Sequence, residues 1–158
     1  MRKEFVSALY NQMKANKNIW CICFDLGYGA FDEIRDYFPN RYLNPGAAEQ
    51  AGLDIAVGLA LEGKITFVYS ITPFLIYRPF ETLRTYINHE KIPVKLVANG
   101  RDKDYAHDGI SHWSEDAKCI LDTLPNIHTY WPNKENEIKT HVAHMVESNH
   151  PDFISLRR

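Results

Sequence analysis

Short runs of consecutive apolar residues, separated by stretches of helical length, set the architecture of this chain: Ile19-Trp20-Cys21-Ile22-Cys23-Phe24, Ile65-Thr66-Phe67-Val68-Tyr69 and Pro93-Val94-Lys95-Leu96-Val97-Ala98. A strand that is apolar on successive positions must be covered on both faces, which is the situation of a parallel strand between two layers of helices. A helical stripe of Phe5, Ala8, Leu9 and Met13 precedes the first run. Helical patterns follow at 47–61, 75–87, 114–124 and 134–147, with shorter strands at 127–130 and 153–156. Strands alternating with helices of this length imply right-handed crossovers. The predicted fold class is therefore α/β, a doubly wound, mainly parallel sheet with helices on both faces. No Gly/Ser-rich linker, internal repeat or low-complexity tract divides the 158 residues, which predicts a single domain over 1–158. Ligands of such sheets bind beyond the carboxyl ends of the strands. The residues after Phe24, Tyr69 and Ala98, and the turn entering the helix at Ala47, are thus the places to search.

Charge excludes some partners. With 18 Lys+Arg against 20 Asp+Glu, no basic excess marks the chain for nucleic acid or an anionic membrane surface. No uncharged stretch approaches the ~18 apolar residues of a membrane span, and Arg2, Lys3 and Glu4 are followed by no uninterrupted apolar segment of the signal-peptide kind. Cys21, Cys23 and Cys119 are odd in number and form no CxxC pair. They argue against a disulfide framework or zinc knuckle and for reduced thiols in a cytoplasmic protein.

Three segments carry candidate chemistry. Asn44-Pro45-Gly46-Ala47-Ala48-Glu49-Gln50-Ala51-Gly52 opens a helix whose small and apolar residues cover almost every face, so burial on most sides is expected. Gly52 and Gly58 each cost roughly 1 kcal/mol of helix propensity relative to Ala, which suggests close approach by a neighbour or ligand. A carboxylate here, Glu49, needs a specific partner, because burying it unpaired is too expensive. Two capping geometries are open. Gly46 caps the helix and Glu49 reaches back as in a capping box, or Asn44 caps with Pro45 in the first turn and Glu49 is left for a ligand. In the second segment, residues 70–80, Phe74 and Tyr77 either face a heteroaromatic ring or pack in the core, and Arg78 either holds an anion or snorkels. The third, residues 105–112, is a polar loop in which His107 and His112 flank Asp108. No third ligand has zinc-site spacing, so no metal is assigned to this chain. His141 and His144, three apart on the last long helix, are expected on a solvated surface without function.

In this order, the segments resemble the pyrimidine-binding domain of the transketolase family of thiamine-diphosphate enzymes. Gly46-Ala47-Ala48-Glu49-Gln50, preceded by Arg41-Tyr42-Leu43-Asn44, is similar to the family's Gly-x-Ala-Glu-Gln signature. Phe74-Leu75-Ile76-Tyr77-Arg78 resembles its aromatic-rich segment leading to an Arg. Asp108-Gly109-Ile110-Ser111-His112, followed by Glu115-Asp116, resembles its Asp-Gly-x-Ser/Thr-His loop, and Leu124-Pro125-Asn126 and Trp131-Pro132-Asn133 extend the likeness over nearly the whole chain. The resemblance implies that Glu49 shares a proton with the aminopyrimidine ring of thiamine diphosphate and so activates the cofactor for attack on a ketose or 2-oxo acid. It also implies that Phe74 or, alternatively, Tyr77 stacks on that ring, and that His112 faces the reacting centre.

Pro45, Ala47 and Pro79 depart from the family pattern, and the Gly-Asp-Gly motif that holds the diphosphate and Mg2+ does not occur. What the resemblance then implies is the pyrimidine-binding component of a split enzyme, inactive alone. Its diphosphate-binding subunit, with the metal, would be a separate partner chain in a homo- or hetero-oligomer that carries out two-carbon (ketol) transfer on a small-molecule substrate. The departures also fit a non-catalytic binding or assembly module with the same fold.

Overall fold

The computed structural model describes residues 1–158. Helix α1 (Arg2–Ala15) leads into β1 (Ile19–Cys23), α2 (Asp32–Tyr37) and the two-residue β2 (Tyr42–Leu43). Helix α3 (Glu49–Leu61) precedes β3 (Ile65–Ile71), and α4 (Thr72–Tyr77) with the short α5 (Phe80–Thr82) precedes β4 (Lys95–Asn99). The chain closes with α6 (Ala117–Asp122), β5 (His128–Tyr130), α7 (Ile138–Glu147) and β6 (Asp152–Leu156). All six strands lie in one sheet of order β2-β1-β3-β4-β6-β5, and every pairing is parallel. This is the doubly wound α/β sheet that the apolar runs require.

The two faces divide successive strand residues between them. Ile19, Cys21 and Cys23 of β1, Phe67 and Tyr69 of β3, Val97 of β4, and Ile154 and Leu156 of β6 pack with Phe5, Leu9 and Met13 of α1, Ile34 of α2 and Val142 of α7. Their neighbours Ile22, Val68, Leu96, Ala98 and Phe153 point the other way, against Leu53 and Ala56 of α3, Leu75 of α4 and Leu121 of α6. Each such side chain contributes roughly 1.5–3 kcal/mol by leaving water, so neither face can be exposed without losing the sheet. None of the helices is long and apolar enough to cross a membrane.

Local structure departs from the sequence pattern at several places. The pattern over 75–87 predicts one helix, but the chain breaks at Pro79, which lacks an N–H and cannot continue the ladder. A π-helical turn, Leu83–His89, follows the break. Residues 25–44, to which the sequence pattern assigns nothing, form α2 and the edge strand β2, with Phe31, Ile34 and Phe38 buried along one side. Helix α3 is not covered on almost every face, since Ile55 and Leu61 are exposed. Of its glycines only Gly52 is crowded: a Cβ there would collide with the Phe24 ring, whereas Gly58 faces open space. His141 is half-buried rather than solvated, its ring 4.9 Å from that of Tyr130, and burial pushes its pKa down.

One ion pair lies at the opposite end of the strands from their carboxyl ends. Lys95, the first residue of β4, and Asp152, the first of β6, are 1% and 0% exposed and 2.8 Å apart. The ammonium also donates to Ser148 Oγ (2.7 Å), the Ser148 carbonyl (3.0 Å) and the His150 carbonyl (2.8 Å). Burial lowers the Lys95 pKa while the Asp152 carboxylate opposes that fall. Lys95→Met should cost about 3–5 kcal/mol in urea unfolding, because it strands a buried carboxylate.

The paired cysteines of β1 give a second expectation. Burial pushes the Cys23 thiol from its ordinary 9.0 up to about 12, and raises Cys21 and the Tyr69 phenol as well. The folded chain therefore keeps protons that the unfolded chain releases. Stability is complete below the unfolded thiol value and falls as pH climbs from there toward the folded one. Unfolding free energies measured between about pH 8 and pH 11 should decline steadily; a flat profile would contradict the burial of these groups.

Candidate active site

The carboxyl edge of the sheet gathers the three segments. After β1, the Asn44 amide donates to the Phe24 carbonyl (3.4 Å), and Asn44 Oδ1 accepts from the Gly46 N–H (2.8 Å). This local turn leaves Ala48 as N-cap of α3, with no side-chain cap. Neither capping geometry open in the sequence is therefore adopted. Glu49 is the first residue of α3 and is only 3% exposed. Its Oε2 accepts from Arg78 Nη1 at 2.7 Å, and its Oε1 has Ser70 Oγ, at the end of β3, at 3.5 Å. The buried charge is compensated from across the fold, 29 residues along the chain, rather than by its own helix.

Arg78 sits at the break before Pro79, where α4 has ended. Its guanidinium also lies over the Phe74 ring, 3.7 Å from the centroid. Phe74 in turn meets the edge of His112, with centroids 4.9 Å apart, and His112 Nδ1 is 2.9 Å from Ser111 Oγ. Glu49, Phe74 and His112 are thus brought together, with Arg78 as the link. Ser70 escapes sequence reasoning, and of the two fates open to Arg78 it holds an anion, the Glu49 carboxylate, a partner that the sequence does not identify.

Tyr77 is placed apart from this chain of contacts. Its hydroxyl donates to Asp116 Oδ1, and burial together with that carboxylate raises its pKa. His107 is exposed and lies 3.1 Å from Asp108, while both loop histidines lean on Tyr105 at 6.2–6.4 Å.

Neighbouring contacts hold the loops in place. Thr72 Oγ1 donates to the carbonyls of Asn99 and Gly100, and Ser114 Oγ donates to the latter at 3.2 Å. This ties α4 and the histidine loop to the end of β4. Gly100 has φ +87°, and a Cβ there would collide with the Tyr105 ring, so only glycine fits. On α3, Gln50 donates to Thr82 Oγ1, which donates to Asp54 Oδ1, both at 2.6 Å. The arrangement is a buried carboxylate with one oxygen lightly engaged, a half-exposed aromatic ring and an imidazole, all facing one edge: the equipment to orient a planar nitrogen heterocycle and exchange a proton with it.

Comparison with known proteins shows the family and the fold of this chain. The family model described as the transketolase pyrimidine-binding domain matches residues 1–158. A putative transketolase C-terminal section from Methanocaldococcus jannaschii is 30% identical over 159 residues, spanning 100% of this chain and 50% of the relative. An apulose-4-phosphate transketolase subunit from Actinobacillus succinogenes is 30% identical over 119 residues, spanning 75% and 38%. Among solved structures, a split gene transketolase described as an inactive β4 tetramer superposes with a TM-score of 0.88 at 28% identity, over 99% of this chain and 50% of the other. The chain spans half or less of the length of these proteins.

The Glu49–Arg78 pair makes a thermodynamic prediction. Arg78→Ala should destabilise the fold by about 1–3 kcal/mol, toward the lower end because the arginine is itself 44% exposed. Adding Glu49→Gln should return part of that loss, since no charge is then left buried. A double-mutant cycle in urea that shows strict additivity would contradict the coupling.

Proposed function

Because this chain belongs to the transketolase pyrimidine-binding domain family, we propose that it holds the aminopyrimidine half of thiamine diphosphate and serves as one component of a split, transketolase-like enzyme. The diphosphate and its Mg2+ would be held by a partner chain. Thiamine diphosphate, when bound, supplies the thiazolium carbon on which two-carbon (ketol) transfer depends. This chain's residues do the rest of the work on its side. Glu49 holds the shared proton at its carboxylate, in a setting that excludes water. Phe74 supplies the stacking face, with Tyr77 the lesser choice because its hydroxyl is committed to Asp116. His112 turns its unengaged ring nitrogen toward substrate oxygens.

The observation that carries this reading is the place that Arg78 takes. A guanidinium is planar and presents N–H donors in its plane. Here it donates to Glu49 while its face covers Phe74. An aminopyrimidine has the same planar nitrogen-carbon-nitrogen edge, and could make both contacts once Arg78 swings toward solvent. This likeness in shape is what supports the reading that the residues present suit the group.

The split-gene relative is described as an inactive β4 tetramer, and another relative is named as one subunit of a transketolase. By that analogy the chain by itself self-associates without turnover. The three unpaired cysteines suit a reducing, cytoplasmic setting.

A second reading, a non-catalytic assembly module, is favoured by the fact that Arg78 already satisfies the Glu49 charge. Mixing the chain with its diphosphate-binding partner separates the two. Ketol transfer should appear only in the mixture, and Glu49→Gln should lower kcat by about 10²–10⁴-fold while leaving the complex assembled. Calorimetry of the complex with thiamine diphosphate and Mg2+ should show binding that weakens in the Glu49 variant. Full activity of that variant would refute its role, and a complex that binds no cofactor would establish the assembly module instead.

A further inference from the structure

A second group of ligand-bearing side chains lies at the other edge of the sheet. His128 opens β5, Asp152 opens β6 directly opposite it in the parallel register, and His150 stands two residues before β6. The His128 N–H donates to the Pro151 carbonyl at 2.9 Å, which fixes the two segments against each other. One ligand atom from each of the three side chains lies within 4.8 Å of the other two. His150 Nδ1 is 3.1 Å and His128 Nδ1 3.8 Å from Asp152 Oδ1. Two donors on a tetrahedral ion, each ~2.0–2.2 Å from it, stand roughly 3.3–3.6 Å apart, so the three atoms can close on one cation with small ring rotations.

The two oxygens of Asp152 differ. Oδ2 is saturated by Lys95 Nζ and Ser148 Oγ. Oδ1 is fully buried and has no hydrogen-bond partner, with the Tyr130 hydroxyl near enough that, besides burial, the carboxylate helps to raise its pKa. An orphaned oxygen on a wholly buried carboxylate is costly, and it points at two imidazoles that make no hydrogen bond to it. The Lys95 and Ser148 contacts lock the carboxylate, as the outer contacts of metal ligands commonly do.

We propose that His128, His150 and Asp152 bind one borderline transition-metal dication of the Zn2+ or Co2+ class, with water completing the coordination. Two imidazoles and one carboxylate select such ions over Mg2+ or Ca2+, which prefer oxygen-only shells. The nearby Lys95 charge and the missing fourth protein ligand make the site weaker than a structural zinc site. It is separate from Glu49, because the strands are parallel and β4 alone rises about 15 Å between the two edges. The ion would clamp the edge strand β5 to the turn that leads from α7 into β6. Neither histidine could be paired from the sequence, since His128 and His150 have no zinc-motif spacing and the third ligand is met only through strand register.

The test uses the untagged chain, stripped with chelator and titrated with Co2+ while visible absorption is followed. One equivalent should bind, Zn2+ should displace it, and Mg2+ should not. His128→Ala and His150→Ala should each lower the affinity at least tenfold, whereas His144→Ala, on the exposed side of α7, should not. Both ligand histidines are largely exposed, at 60% and 48%, so the variants should fold. Paramagnetic broadening of the His128 and His150 ring resonances by Co2+ in the parent chain reads the same ligands without substitution. No Co2+ binding, displacement by Mg2+ as readily as by Zn2+, or broadening confined to other histidines would overturn the site.

Discussion

Parallel pairing with helices on both faces governs where polar chemistry can stand in this chain. Interior strand positions have an apolar layer on either side, so a charge placed there meets no partner and no water. Charged groups are pressed to the two ends of the strands, and parallel pairing makes those ends different. At the carboxyl edge, β1, β3 and β4 release the loops that carry Asn44, Thr72 and the histidine segment. At the amino edge, Lys95, His128 and Asp152 open their strands. Each edge carries one buried carboxylate, Glu49 and Asp152, and each is held by a cation.

Much of this was legible in the sequence, for identifiable reasons. Uninterrupted apolar runs such as Ile19 to Phe24 have few ways to be buried other than a doubly covered strand, so sheet type and every strand except β2 followed from the order of those runs. Glu49 stood out because a carboxylate on a helix rich in alanine and glycine demands a partner. What could not be read was the partner's identity. One capping geometry kept Glu49 within its own helix and the other left it for a ligand, whereas the contact comes from Arg78, 29 residues away on the same face of the sheet. The break at Pro79 was hidden in the same way: the apolar spacing over 75–87 continues through it, and the missing N–H separates α4 from α5 and the π-helical turn that follows. Gly52 and Gly58 were indistinguishable by propensity. One faces Phe24 and the other open space, and only packing tells them apart.

The contrast between the two carboxylates bears on how the carboxyl edge could work. Lys95 is wholly enclosed and its ammonium has more acceptors than it has protons. Withdrawing it would expose several polar groups to an apolar interior at once. Arg78 differs in each respect. It is 44% exposed, makes one hydrogen bond to Glu49, and otherwise rests on an aromatic face. Water can take over its donors at little cost, since a partly exposed arginine never gave up much of its hydration. What keeps it in place is the Glu49 charge, which cannot be left bare. On the proposed function, a planar ligand whose ring nitrogen shares a proton with Glu49 and whose face covers Phe74 would remove that obligation, and the arginine would then leave without penalty to either residue. The same pair can therefore stabilise the free chain and yield to a ligand, provided that a second surface closes over the site as Arg78 departs. On the proposed function, that second surface would belong to the partner chain.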